Sequence, residues 1–211
     1  MRFFLLLPIL LFSHLVRAQF NSFEPGSYVL TATPTQRLEG PLKLRGCTEL
    51  VLKKPNSKTT VLKPEDVQSF RLGSKKYVTA GGFPVDKGLG GDTISQAFVE
   101  QLDSGQVVLM RLNYIIDGSM MAGGGGQLGG SASYTLYLLR RGGEQTIVPL
   151  PASGLSNGGQ KFRDTLMPYL TTRPDLAKLV ANKLVNTDNL LVMIRALNIG
   201  QPCDCAISYT H

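Results

Sequence analysis

The residues of this sequence that could do chemistry are three cysteines and a scatter of carboxylates. Cys47 lies among early strand-like segments, and Cys203 and Cys205 lie in the tail Gln201-Pro202-Cys203-Asp204-Cys205. A disulfide from Cys47 to either tail cysteine would pin the tail to the body and leave one thiol over. A Cys203–Cys205 bond would instead close a small, strained ring that is more easily reduced. With His211 these cysteines make four soft ligands, the number zinc takes. Their spacing matches no ligand pattern, and His211 is the last residue, so no metal and no other cofactor is expected. Asp86, Asp92, Glu100, Asp103 and Asp117 fall in or near loops, where a convergent pair would give the acid–base chemistry of a hydrolase. Nothing in the sequence selects two of them. Outside the N-terminal leader His211 is the only histidine, so a Ser-His-Asp or Cys-His system would need it as base. Gly124 to Gly129 satisfies G-x-G-x-x-G, as any glycine run does, but a strand rather than a helix follows it. The balance favours a binding or structural module over an enzyme.

Charge offers a second kind of site. The formal charge is +7, and ten Lys or Arg residues from Arg37 to Lys76 face only Glu39, Glu49, Glu65 and Asp66. A solvated sheet face with edges blunted by lysine accounts for this excess. The functional reading is a basic binding face of Lys43, Arg45, Lys53, Lys54, Lys58, Lys63, Arg71, Lys75 and Lys76. It would attract an anionic envelope polymer or the acidic surface of an envelope protein. No aromatic residues interleave with these cations as single-strand nucleic-acid binders require, so nucleic acid is excluded as a partner.

The elements that must position such groups are short strands. Thr59 to Ala80, TTVLKPEDVQSFRLGSKKYVTA, reads as strand, turn, strand, turn, strand. Pro64 fixes φ for the first turn, and Glu65 and Asp66 serve that turn rather than catalysis. Phe70 and Leu72 share a face at period two, and Gly73-Ser74 is a two-residue hairpin signal. Upstream, strands are expected at Ser27 to Ala32, at Leu38 to Arg45 (an edge or bulge, from Pro41) and at Glu49 to Lys53. Downstream, Gly81 to Gly91 reads as a loop. Ile94 to Leu102 and Gln106 to Tyr114 form a hairpin, the first strand towards an edge and the second through the core. The glycine-rich 115–131 reads as a mobile loop before a last hairpin, Ser133 to Arg140 with Glu144 to Leu150.

After a linker at 153–159 the apolar period changes from two to 3.6. Phe162, Leu166 and Leu170 share one helical face, broken by Pro168. Thr172 to Asp175 reads as a capping box for a second helix, and Asn186 to Asp188 as the cap of a third that ends at Gly200. Three such short helices need the sheet as support. The fold class is therefore α+β: an antiparallel meander, roll or partly open barrel of about nine short strands (19–152), a helical segment (160–200) and a cysteine tail (201–211).

Residues 1–18 have the form of a secretory leader: Met1-Arg2, an apolar run from Phe3 to Val16, and a cut after Val16-Arg17-Ala18. No later run is long enough to span a membrane as a helix. The run from Gly26-Ser27-Tyr28-Val29-Leu30 through Leu62 to Val67, Phe70 to Gly73 and Tyr77 resembles a module in exported proteins of Bacteroidetes-type bacteria. The tail from Phe162 to Asn198 is similar to the helical ends of some of those proteins. The resemblance implies a periplasmic, envelope or secreted location and brings no catalytic residues with it.

Overall fold

The structure, a computed structural model, describes residues 22–56, 58–86, 91–117, 131–152 and 158–205. The expected leader, His211, most of the glycine-rich stretch and residues 153–157 of the linker lie outside the described residues. Twelve strands form: β1 (Glu24–Leu30), β2 (Arg37–Arg45), β3 (Glu49–Lys53), β4 (Thr59–Leu62), β5 (Val67–Leu72), β6 (Lys75–Ala80), β7 (Phe83–Asp86), β8 (Gly91–Ile94), β9 (Ala97–Asp103), β10 (Val107–Asp117), β11 (Ser131–Arg141) and β12 (Val148–Leu150). Ten of them make one open antiparallel sheet in the order β12-β11-β10-β9-β6-β5-β1-β2-β3-β4, and β7 with β8 makes a separate hairpin. The helices are α1 (Gly158–Leu166), α2 (Pro174–Ala181) and α3 (Leu190–Ile199), with a 3-10 turn at Met167–Tyr169. Antiparallel α+β architecture is thus what the chain adopts. Among the described residues no helix is long and apolar enough to cross a membrane.

Strand order forces the sheet to curl. β4 stands four places from β5, about 19 Å apart if the sheet were flat. The five steps from Leu62 to Val67 reach at most about 18 Å fully extended, and they are folded instead, with the Asp66 N–H donating to Lys63 O at 3.0 Å. β1 to β4 must therefore roll over until β4 approaches the start of β5. Leu42, Leu50, Val67, Phe70 and Phe98 fill the roll, and Leu52, Leu62, Tyr28 and Tyr77 pack against them. Two bonds fasten it: Phe98 N–H donates to Cys47 O (2.7 Å) and Thr79 Oγ1 to Pro64 O (3.0 Å).

Around the first half of β10 the sheet is covered on both faces. Val107, Leu109, Leu139 and Leu150 face the helices, meeting Phe162, Leu166, Leu176 and Ile194. On the opposite face Val108, Met110, Leu112 and Leu138 meet Phe83 and Val85 of the β7–β8 hairpin. This alternation buries both faces of β10 from Val107 to Leu112, as its uniformly apolar sequence implies.

Several local expectations are corrected. The stretch read as a loop, Gly81 to Gly91, supplies β7 and one end of β8, because Phe83 and Val85 need a surface to cover. β9 starts at Ala97 rather than Ile94, and it lies inside the sheet between β6 and β10. From Ala97 to Glu100 both of its faces are buried, and Glu100 has an ionic partner there. β2 is also internal. Its Pro41 stands opposite Pro25 of β1, which fits a pairing site that exchanges no N–H···O bonds. The capping box does not form: α2 starts after Arg173 with no side-chain cap bond, and Thr172 Oγ1 instead accepts from Gln106 Nε2 at 3.1 Å. α3 likewise starts after Asn189, not at the expected cap. Asn189 is buried; its Oδ1 accepts from Asn186 N–H (2.9 Å) and its Nδ2 donates to Leu184 O (2.9 Å) and Cys205 O (3.1 Å). Its side chain thus holds the preceding loop and the tail, while only its C=O serves the helix, accepting from Met193 N–H (3.1 Å).

One side chain joins helix to sheet. Asn198 Oδ1 accepts from Val107 N–H at 2.9 Å, and its Nδ2 donates to Val107 O at 2.8 Å. The amide thus takes the place of a neighbouring strand at that residue. Gly105 makes room for it, since a Cβ there would lie 2.7 Å from Asn198 Cγ. Asn198→Ala leaves both Val107 groups unpaired and is expected to cost about 1–3 kcal/mol. A urea unfolding midpoint unchanged from wild type would remove this role.

Candidate binding face

The cysteines are placed differently from the plain expectation. Cys203 and Cys205 are bonded to each other, with Cα atoms 5.2 Å apart. Cys205 is buried beneath the helices, whereas Cys47, on the β2–β3 turn, packs with the cluster under the β7–β8 hairpin. The two parts of the chain belong to different clusters, so a Cys47 bridge does not form. The tail is held instead by Asn189 and by Arg173, whose guanidinium donates to Ala196 O (3.1 Å) and Gln201 O (2.9 Å) and binds Asp175 (2.6 Å).

The carboxylates are spread out. Glu100 lies mid-strand in β9, not in a loop, and is only 7 % exposed. Its Oε2 accepts from Arg111 Nη2 at 2.7 Å. Asp103 closes the β9–β10 turn by accepting from Ser104 N–H (2.8 Å), and Asp92 Oδ1 accepts from Thr93 N–H (2.8 Å). The side chains of Asp86 and Asp117 lie outside the described residues. Among those described, no three His, Cys, Asp or Glu side chains gather as a metal site would require.

Glu100 and Arg111 belong to a row that crosses the sheet. Tyr28, Phe70, Tyr77, Glu100, Arg111 and Tyr137 stand opposite one another in six successive strands. The hydrogen bond to Glu100 holds the Arg111 guanidinium firmly in its charged form. Burial, and then the Glu100 charge, pushes the Tyr77 phenol above its ordinary value. A raised phenol contributes stability that is complete below about pH 10 and is lost as pH rises through the folded value. Tyr77→Phe should therefore lessen the fall in urea midpoint on going from neutral to strongly alkaline pH. An identical fall in both proteins would exclude the effect.

The nine basic residues do not make one face. Lys75 and Lys76 are consecutive in β6 and point to opposite sides. Arg45 (3.1 Å) and Lys63 (2.8 Å) both bind Glu49, whose carboxyl is held below its ordinary value chiefly by the Lys63 hydrogen bond. Lys53 Nζ lies 5.9 Å from the Phe23 ring centroid.

What remains is a tighter group. Arg37, Arg71 and Lys76 line one shallow depression of about 20 Å³ with Ser27, Val29 and Ser69. Arg71 and Lys76 stand directly opposite in register, and like charges so placed are destabilising. None of the three forms a salt bridge among the described residues. Glu39 lies on the same side one strand beyond Ser27, two residues from Arg37, and forms no salt bridge with any of the three among the described residues. Arg37 was missed by the nine-residue set, although period two along β2 puts it on the same side as Lys43 and Arg45.

Fold and face together define an open-sheet α+β protein whose outward surface carries cations with no ion-pair partner among the described residues. No family model, curated protein or solved structure matches the chain.

Proposed function

We propose that this is an exported, non-catalytic binding protein that holds an anionic envelope polymer on the outward face of β1, β5 and β6. The observation that carries the reading is the opposition of Arg71 and Lys76, with Arg37 beside them and, among the described residues, no carboxylate bound to any of the three. Folding alone disfavours that arrangement, and an arriving anion relieves it. The depression has room for about one water, so it suits a charged chain lying across the surface better than an enclosed small molecule. The sequence features of an exported chain, and its likeness to exported proteins, support the location.

The test is retention of the leaderless protein on dextran sulfate beads, with neutral dextran as control. Wild type should bind the sulfated beads only, and elute as salt shortens the reach of charge. Arg71→Glu/Lys76→Glu should bind at least tenfold more weakly at about 0.1 M salt. Arg45→Gln should change little, because Arg45 is already paired. Equal retention of the double variant and wild type would sink the proposal. Binding confined to an acidic protein surface would replace the polymer with a protein partner.

A further inference from the structure

A second, roomier site lies on the side of the sheet away from the helices. Between the base of the β7–β8 hairpin and the segment leading into β12 is a cavity of about 250 Å³. That is the liquid volume of about eight waters, enough for a molecule the size of an amino acid or a monosaccharide. Its walls include Gly81, Ser95, Gln96, Arg140, Gln145 and Ile147. Gly81 is needed for this shape, because a Cβ there would lie 1.8 Å from Ser95 O.

Arg140 is the charged group of the cavity. It stands opposite Val108 in the β10–β11 pairing, and its Nε is buried without a hydrogen-bond partner among the described residues. No carboxylate is among the lining residues. Asp103, whose Oδ2 is also buried and unpartnered, is not one of them and forms no salt bridge with Arg140. That nitrogen is closed to solvent, so a ligand in the pocket would meet Arg140 through its other guanidinium nitrogens. One planar guanidinium matches one planar carboxylate through paired N–H···O bonds. Gln96, Gln145 and Ser95 offer both donors and acceptors, which suit hydroxyl or amide groups on the same molecule.

We infer that this cavity binds a small carboxylate carrying hydroxyl or amide groups, with Arg140 pairing its carboxylate. The inference does not depend on the polymer-binding face. It is tested by calorimetric titration of the full leaderless chain with two pairs of compounds: N-acetylglycine against its amide, and glucuronate against glucose. At least one acid should bind at one site per chain, while its neutral counterpart binds at least tenfold more weakly, a difference of about 1.4 kcal/mol. Binding of the first acid alone identifies a peptide-like ligand, and of the second alone a sugar acid. Arg140→Gln should lose at least tenfold in affinity, and Arg140→Lys should keep part of it. If Arg140→Gln does not fold, the comparison of acid with neutral counterpart in wild type decides. Failure of both acids to bind at millimolar concentration, or equal binding of acid and neutral forms, overturns the inference.

Discussion

Phe70→Ala is expected to cost about 3–5 kcal/mol, the range for deleting a fully buried aromatic ring. Phe70 is 2 % exposed and sits at the centre of the roll. Its ring stacks on Tyr77 (centroids 4.7 Å apart, planes 8° apart) and takes Phe98 edge-on at 5.1 Å. The walls around it come from β1, β2, β3, β5 and β9, held in place by the pairings that make the roll. They cannot close on the hole without breaking that register. Phe70→Leu keeps much of the volume and should lose substantially less. Guanidinium denaturation reads the effect directly. A loss below about 1 kcal/mol would mean that the roll collapses easily and is not packed as described.

The second large effect concerns Glu100. Removing one member of a buried ion pair costs about 3–5 kcal/mol when the other is left stranded. Arg111 keeps 30 % of its side chain exposed, so water recovers part of that, and Glu100→Ala should cost about 2–3 kcal/mol. Replacing both residues by leucine removes the stranded charge and joins the apolar contents of the roll to those under the helices. That double variant should lie within about 1 kcal/mol of wild type. The decisive measurement is the double-mutant cycle. If the two single losses simply add in the double variant, the pair is not coupled and the bonded geometry has no energetic meaning.

How much of this was legible beforehand depends on the range of the interaction. The helical stretch could be read because Phe162, Leu166, Leu176, Val180, Ile194 and Leu197 recur at helical period, and that pattern is local. β10 could be read because both of its faces are apolar. The β7–β8 hairpin was hidden by its own glycines, although Phe83, Val85 and Ile94 carried the alternating signal. The Glu100–Arg111 pair was hidden for a subtler reason. The register slips by one between Leu109 and Met110, and only that bulge brings Arg111 opposite Glu100 rather than Gln101. A bulge leaves no mark in composition. The cluster of Arg37, Arg71 and Lys76 needed the strand order itself, because β1 lies between β2 and β5 and brings distant segments side by side. The cavity at Arg140 is built from four separate stretches of chain, and no window along the sequence contains it.

The position of β1 has a consequence for the newborn chain. One of its neighbours, β2, emerges almost at once, but the other is not complete until Leu72 has been made. Until then the first strand offers a bare row of amides and carbonyls to whatever passes, the state in which nascent sheets are most easily captured by the wrong partner. An unfolded-chain escort acting early would have that strand as its natural target, and it would be released when the fifth strand arrives to claim the same edge.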